Sequence, residues 1–471
     1  MIKEIGNKIP KTNLYINASF IYIIANGVGQ GITLLANIFF TRYMSQKEYG
    51  LYSNYYSYVS LLVPFVGMNL YCGLTNAYID YKKKIHIVRS SVLVLSIAGA
   101  VLTSIAMIAI KATVGLTLSY TCILLAIMHA YGFFLVNYYI QSMNMENRFV
   151  AKGLMLSIPN ILQALFAAFA VIVCNTYISR AVGGTIGVLS CGVVAAALIL
   201  NGAKPTINKE YWKYALRISL PAIIGSVSVM IIQQCDKVMI TSFVGAEETA
   251  VYALIYNIGY ILYAVQQATN GVWQVWLYNI IDKKKSENIA EVQKWYMFVM
   301  FVLATVLYMI SPEIIKILAP RDYWHFEYII PFIIGSYLML MYTLHMSVNQ
   351  YYKKTGVNSI IVSLAAVINI VLNYILIPQF SGIGAAYTSV ISYFFIFVAS
   401  GLYLKMKNNY LFKSWLFFAY LALIVLMGIV FYFVKQRNVL RYGIFLLIII
   451  VEGLYVIFHK KELMATIAKK S

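Results

Sequence analysis

TRYMSQKEYGLY, at residues 41–52, is matched by TSFVGAEETAVY at residues 241–252. The two stretches align without a gap, and each connects two long apolar runs. The correspondence extends into those runs, where Asn37 aligns with Lys237 and Tyr56 with Tyr256. A duplicated membrane unit of this kind is typical of secondary transporters.

The composition places the chain in a lipid bilayer. Of its 471 residues, 61% are hydrophobic and only 11% are charged, which leaves too little polar surface for a soluble globule. The net charge of +20 would suit nucleic acid, but the basic residues are scattered between apolar runs, so no nucleic-acid partner is expected. The five cysteines lack CxxC spacing and histidines do not cluster, so neither a disulfide framework nor a metal site is expected.

A helical membrane span needs about 20 mainly apolar residues. On that basis the sequence predicts fourteen spans. They are Tyr15 to Phe40, Leu51 to Tyr78, Ser90 to Ile110, Leu116 to Ile140, Gly153 to Val173, Ala181 to Leu200, Leu216 to Val244, Val251 to Tyr278, Trp295 to Ile315, Phe326 to Val348, Asn358 to Ile377, Ile383 to Leu404, Trp415 to Val434 and Tyr442 to Phe458.

Most of the 36 Lys and Arg residues fall at the N-terminus and in every second loop, which predicts that both termini are cytoplasmic. The exception is the loop between the last two spans, which would be external and yet contains Lys435, Arg437 and Arg441. An even number of spans separates the two copies of the repeat, so both copies enter the membrane from the same side and the repeat is parallel.

The predicted fold is therefore an all-α polytopic membrane protein with about fourteen transmembrane helices. Two parallel six-helix repeats, residues 1–203 and 204–407, surround a central cavity, and two further helices occupy residues 408–471. The loops are too short for a catalytic domain or a pore loop. A transporter is expected rather than an enzyme.

The first span has a polar stripe at helical spacing, and the seventh span has its counterpart. The stripe of the first span contains Asn26, Gln30, Thr33, Asn37 and Thr41, and that of the seventh contains Ser226, Gln233, Lys237 and Thr241. Such stripes are costly toward lipid, so they indicate either a shared hydrated cavity or hydrogen bonds between helices.

Asp236 and Lys237 are charged residues inside a span, which makes them functional candidates. Lys237 is a candidate contact for an anionic substrate group, with Asp236 as its charge partner or as an ion carrier; a structural pair in the outer half of the span is the alternative. Arg42 suits phosphate capture, or anchors the helix at the interface. Glu452, in the last span, and Glu327 are candidate proton sites or interfacial residues.

Tyr256 belongs to a row of aromatic and polar residues on the eighth span, which indicates either a sugar-stacking surface or an interfacial belt. Pro64 and Gly67 in the second span permit a bend.

Three segments resemble bacterial polysaccharide flippases of the Wzx type. Residues 25–31, ANGVGQG, followed by residues 41–52, look like the N-terminal signature of that family. Residues 234–240, QCDKVMI, are similar to its Asp-containing repeat. Residues 378–386, PQFSGIGAA, resemble its Pro-x-x-Gly-x-x-Gly-Ala-Ala turn with one extra residue before the first glycine.

The resemblance implies the fold of the multidrug, oligosaccharidyl-lipid and polysaccharide exporter superfamily. It implies flipping of undecaprenyl-pyrophosphate-linked oligosaccharides to the outer leaflet of the bacterial plasma membrane by alternating access. No cofactor is implied beyond a proton or sodium gradient, and the expected partners are membrane lipids, a polysaccharide polymerase and glycosyltransferases. A cation-coupled multidrug exporter and an integral-membrane polysaccharide polymerase are the alternatives. The candidate substrate contacts are Lys237, Arg42, Asn37, Gln233, Asn26, Gln30 and Tyr256, and the candidate ion-coupling residues are Asp236 and Glu452.

Overall fold

The computed structural model describes residues 27–29, 31–114, 118–146, 148–283, 287–460 and 462. The described residues form helices joined by short turns and contain no strand. Eleven of these helices are long and apolar enough to cross a membrane, or twelve crossings if one bent pair counts as a span. The protein is a multi-pass membrane protein, as the apolar runs predict.

We number the α-helices in chain order and begin with α1 at residues 31–43. The predicted first repeat continues with six helices: α2 (Gln46–Val66), α3 (Leu74–Asp80), α4 (Ile85–Val114), α5 (Tyr120–Met145), α6 (Phe149–Val173) and α7 (Tyr177–Leu200). The remaining helices are α8 (Lys209–Phe243), α9 (Ala246–Asp282), α10 (Glu287–Leu318), α11 (Ile329–Tyr351), α12 (Thr355–Met406), α13 (Ser414–Val434) and α14 (Asn438–Phe458).

The second predicted span is bent rather than straight. The chain turns by 44° between α2 and the short helical segment Leu70–Asp80. Met68 and Asn69 adopt left-handed backbone conformations at the bend, with φ of 45° and 52°. The Asn69 side chain donates a hydrogen bond to the Ser226 hydroxyl over 2.9 Å, which holds the bend against α8.

The longest helix, α12, contains a break that divides it into two crossings. Its 52 residues would extend about 78 Å as one helix, more than twice the hydrocarbon thickness of a bilayer. Ser381 interrupts it with φ 53° and ψ −147°. The prediction of separate spans on either side of the Pro378–Gly382 turn is confirmed. With this division and the bent pair, the described residues contain up to thirteen candidate membrane spans by length and composition, and most of the predicted first span, Tyr15 to Phe40, lies outside them.

The chain packs as two compact units, one ending at Ala250 and the other beginning at Val251. Unit 1 includes α8, which contacts α2 extensively, and α9 begins in unit 1. This grouping follows spatial contacts, whereas the division at residues 203 and 407 follows the sequence repeat. The repeat-based division stays a prediction.

Within unit 1 the two copies of the repeated turn contact each other. A Cβ atom added to Gly50 would lie 1.7 Å from the carbonyl oxygen of Ala246, so the α2 backbone touches the start of α9. The Gln46 side-chain amide donates to the carbonyl of Glu247 over 3.4 Å. The two turns end differently: Ser45 caps α2 by accepting from the Glu48 amide, whereas Gly245 adopts φ 139°, which favours glycine.

Within unit 2, two carboxylates pair with two of the three basic residues in the loop that is predicted to be external. The Arg441 guanidinium is 0% exposed and donates hydrogen bonds to Glu313 and to the carbonyl of Lys435. Lys435 Nζ lies 3.0 Å from Glu327 Oε2. The structure therefore gives Glu327 an ion-pair role, and two carboxylates offset part of the positive charge of this loop.

Candidate functional site

The buried lysine of α8 is hydrogen-bonded to a glutamine on the same helix. Lys237 Nζ donates to Gln234 Oε1 over 3.0 Å, since residues three apart lie on one helical face. The Ser57 hydroxyl, on α2, lies 3.2 Å from the same oxygen. One amide oxygen thus connects the ammonium group to the neighbouring helix.

Part of each polar stripe is buried within unit 1 in this structure, whereas Thr33 of the first stripe is exposed. Lys237 is 7% exposed and Asp236 is 1% exposed, and Gln233, Asn37 and Thr41 are also buried. The partly buried Thr241 hydroxyl donates a hydrogen bond over 2.7 Å to the carbonyl of Lys237, one turn earlier on the same helix. Whether the stripes line a hydrated cavity in another state of the protein stays a prediction.

A second polar cluster joins α1, α2 and α7. The Tyr49 hydroxyl donates to the Asn37 side-chain oxygen over 3.1 Å. Arg180, at the start of α7, lies between two aromatic rings, with its guanidinium carbon 3.7 Å from the Phe40 centroid and 3.8 Å from the Tyr52 centroid. Cation–π contacts of this kind stabilise a buried positive charge without removing it.

The α1–α2 turn is fastened to α7 beside this cluster. Glu48 accepts a hydrogen bond from the backbone amide of Tyr177, and the Asn175 side chain donates to the carbonyl of Tyr43 over 2.7 Å. Thr176 caps α7 by accepting from the Ser179 amide, which fixes the start of the helix that presents Arg180.

Other predicted contacts lie in different surroundings. Arg42 is exposed near the end of α1. Asn26 and Gln30 fall outside the described residues. Tyr256 stacks on Tyr260 with ring centroids 5.6 Å apart. The crevice beside Tyr256 has a volume of only about 20 Å³, which is room for a water molecule but not for a sugar.

Glu452 lies far along the chain from the polar stripes, in unit 2. It is 8% exposed and forms part of the wall of an apolar groove bordered by α10, α13 and α14. Among the described residues no group of three or more His, Cys, Asp or Glu side chains could hold a metal ion.

Gln234, Ser57 and Arg180 belong to these clusters although sequence analysis did not select them. Gln234 could have been found, because it precedes Lys237 by three residues on a predicted helix. Arg180 lies between two predicted spans, Gly153 to Val173 and Ala181 to Leu200. Its burial depends on Phe40 and Tyr52, which are distant in sequence, so no local pattern identifies it.

Comparison with known proteins decides the family. A family model described as "Polysaccharide biosynthesis protein" matches residues 16–276, more than half of the chain. The chain belongs to this family. The resemblance found in its repeated turn and in the segment around Lys237 is confirmed at the level of the family, and both polar clusters fall inside the matched region. No curated protein sequence matches the chain.

The fold of this family member is also found among solved structures. The structure titled "Lipid II flippase MurJ, inward closed conformation" matches with a TM-score of 0.71 at 16% identity, covering 94% of this chain and 99% of that one. An inward-facing multidrug resistance MATE family transporter of the MOP superfamily matches with a TM-score of 0.59 at 15% identity, covering 83% and 98% of the two chains. At these identities the likeness shows the fold alone, and it confirms the predicted all-α exporter fold.

Proposed function

We propose that this protein flips undecaprenyl-pyrophosphate-linked oligosaccharides from the cytoplasmic to the outer leaflet of the bacterial plasma membrane. The observation that carries the proposal is the buried ammonium of Lys237, held by a neutral amide within the part of the chain that matches the polysaccharide biosynthesis family. A buried cation of this kind suits contact with an anionic group such as pyrophosphate.

Arg180 adds a second buried positive charge to unit 1. Its guanidinium is positioned by aromatic faces, and its planar fork suits phosphate oxygens. Asn37 and Gln233 would supply neutral hydrogen-bonding groups to the sugars, and Arg42 would contact the pyrophosphate or anchor α1. The polyprenyl tail would stay in lipid throughout.

Transport would proceed by alternating access, driven by a proton or sodium gradient, with Asp236 and Glu452 as the candidate coupling residues. Both termini would be cytoplasmic. A polysaccharide polymerase and glycosyltransferases are the proposed functional partners. Glycosyltransferases make the lipid-linked oligosaccharide that is flipped, and flipping supplies it as substrate to the polymerase.

Reconstitution tests the proposal directly. The purified protein is placed in liposomes with an undecaprenyl-pyrophosphate oligosaccharide that carries a fluorescent label, and a membrane-impermeant quencher reports the label's leaflet. Wild-type protein should accelerate exchange, and Lys237→Glu should lower the rate by about tenfold or more because it places a negative charge where pyrophosphate binds. Lys47→Glu is the matched control, since Lys47 is exposed and undergoes the same charge reversal.

The outcomes separate the alternatives. Absence of wild-type flipping, together with drug hypersensitivity of a deletion strain, would favour the multidrug exporter, which the fold also accommodates. Lengthening of glycans by the purified protein would favour a polymerase. Full activity of Lys237→Glu would show that Lys237 does not contact the phosphate. The flippase proposal itself would still be tested by the flipping rate of the wild-type protein.

A further inference from the structure

The groove between α10, α13 and α14 in unit 2 has the size of a small-molecule site. Its volume is about 560 Å³, within the range of ligand pockets. Aromatic side chains of three helices form much of its wall: Phe298 and Phe301 of α10, Tyr420 of α13 and Tyr455 of α14. Aliphatic residues such as Leu423 and Val451 complete it. The groove therefore suits a ligand with an apolar, aromatic body.

One carboxylic acid interrupts this apolar wall. Glu452 is more than nine-tenths buried, and its Oε1 atom has no hydrogen-bond partner among the described residues. A carboxylate in apolar surroundings is costly unless a positive charge or a proton compensates it. The protein itself supplies no such compensation in the contacts that the structure describes.

Lys294, a basic residue in the groove wall, is already paired. Lys294 Nζ lies 3.2 Å from Glu462 Oε2 and 5.7 Å from the centroid of the Tyr455 ring. Its charge is balanced by Glu462, at the end of α14, so it does not serve as the counterion of Glu452. The groove thus combines aromatic faces with one uncompensated acidic group.

We infer that this groove binds a lipophilic cation, a molecule with a single positive charge and an aromatic or aliphatic body that reaches the site from the bilayer. The cation would pair with Glu452, and the rings of Phe298, Tyr420 and Tyr455 would contact its body. Aromatic faces attract cations, most strongly where water is excluded. This inference concerns ligand binding only, and it goes beyond the proposed flipping activity.

Two ions of the same shape and opposite charge test the inference. Tetraphenylphosphonium and tetraphenylborate are titrated separately onto the full-length protein in nanodiscs of zwitterionic lipid, with empty nanodiscs as the baseline. The phosphonium ion should bind saturably, and Glu452→Gln should weaken its binding by about tenfold. Glu247→Gln, at an exposed position outside the groove, removes the same charge and should leave binding unchanged.

A second variant tests the position of the site. Ala419→Phe fills the groove without changing its charge, and it should weaken phosphonium binding while Glu452 is intact. Equal phosphonium binding by wild type and Glu452→Gln would overturn the inference. Equal weakening of the binding of both ions by Glu452→Gln would also overturn it. So would loss of binding of both ions in Ala419→Phe with no effect of Glu452→Gln, because a neutral groove for lipid chains would give that result.

Discussion

The ammonium of Lys237 donates a hydrogen bond over 3.0 Å to the side-chain oxygen of Gln234, on the preceding turn of α8. Because Ser57 lies 3.2 Å from the same oxygen, Gln234 links the buried cation to α2. Gln234→Leu removes an acceptor from a buried charge and is expected to cost about 1–3 kcal/mol of stability. Thermal unfolding in detergent measures the loss.

Gln234→Glu makes the complementary change. A carboxylate beside Lys237 would hold the ammonium more strongly than the amide does, so the variant should fold but flip lipid-linked oligosaccharide more slowly than wild type. Flipping at the wild-type rate by a well-folded Gln234→Glu would show that the charge of Lys237 need not be available to substrate.

The contact between Gly50 and Ala246 predicts that even a methyl side chain at position 50 destabilises the protein. Gly50→Ala places a methyl group 1.7 Å from a carbonyl oxygen, so the two turns must separate, at a cost of about 1–3 kcal/mol. Gly271→Ala is the matched control, because nothing lies within 4 Å of its Cβ position and alanine favours a helix by about 1 kcal/mol. The two variants should shift the melting temperature in opposite directions; equal shifts would contradict the close approach.

The ion pair between Arg441 and Glu313 predicts that the stability of unit 2 depends strongly on Arg441. Arg441→Met removes a fully buried guanidinium and leaves Glu313 without this partner. The expected cost is about 2–4 kcal/mol, below that of a wholly buried pair because the Glu313 side chain is 31% exposed. The double variant Arg441→Met with Glu313→Met should recover part of the stability, and a double-mutant cycle measures the coupling.

Ser381 occupies a backbone conformation that only glycine adopts readily, with φ 53° and ψ −147°. Ser381→Gly is therefore expected to stabilise the protein by about 1–2 kcal/mol, and Ser381→Val to destabilise it. Thermal unfolding of the two variants checks the prediction. A stabilising valine would mean that the α12 break has another geometry.

Local features of the chain could be predicted from sequence. Apolar run lengths identify the helices, and the Pro378–Gly382 segment identifies the break in α12, because turn chemistry is decided by neighbouring residues. The left-handed residues Met68 and Asn69 were not predicted, although Pro64 and Gly67 indicated that a bend was permitted. Their conformation depends on the contact of Asn69 with Ser226, far away in the chain.

The sequence by itself determined the membrane class of this protein and the family to which it belongs, since hydropathy and short motifs depend only on residue order. Tertiary structure alone decided that the two copies of the repeated turn touch at Gly50 and Ala246. It also decided that Glu313 neutralises Arg441 and that Gln234 holds Lys237 against α2. Such pairings join segments separated by up to two hundred positions, and packing in three dimensions selects them from many partners of similar chemistry.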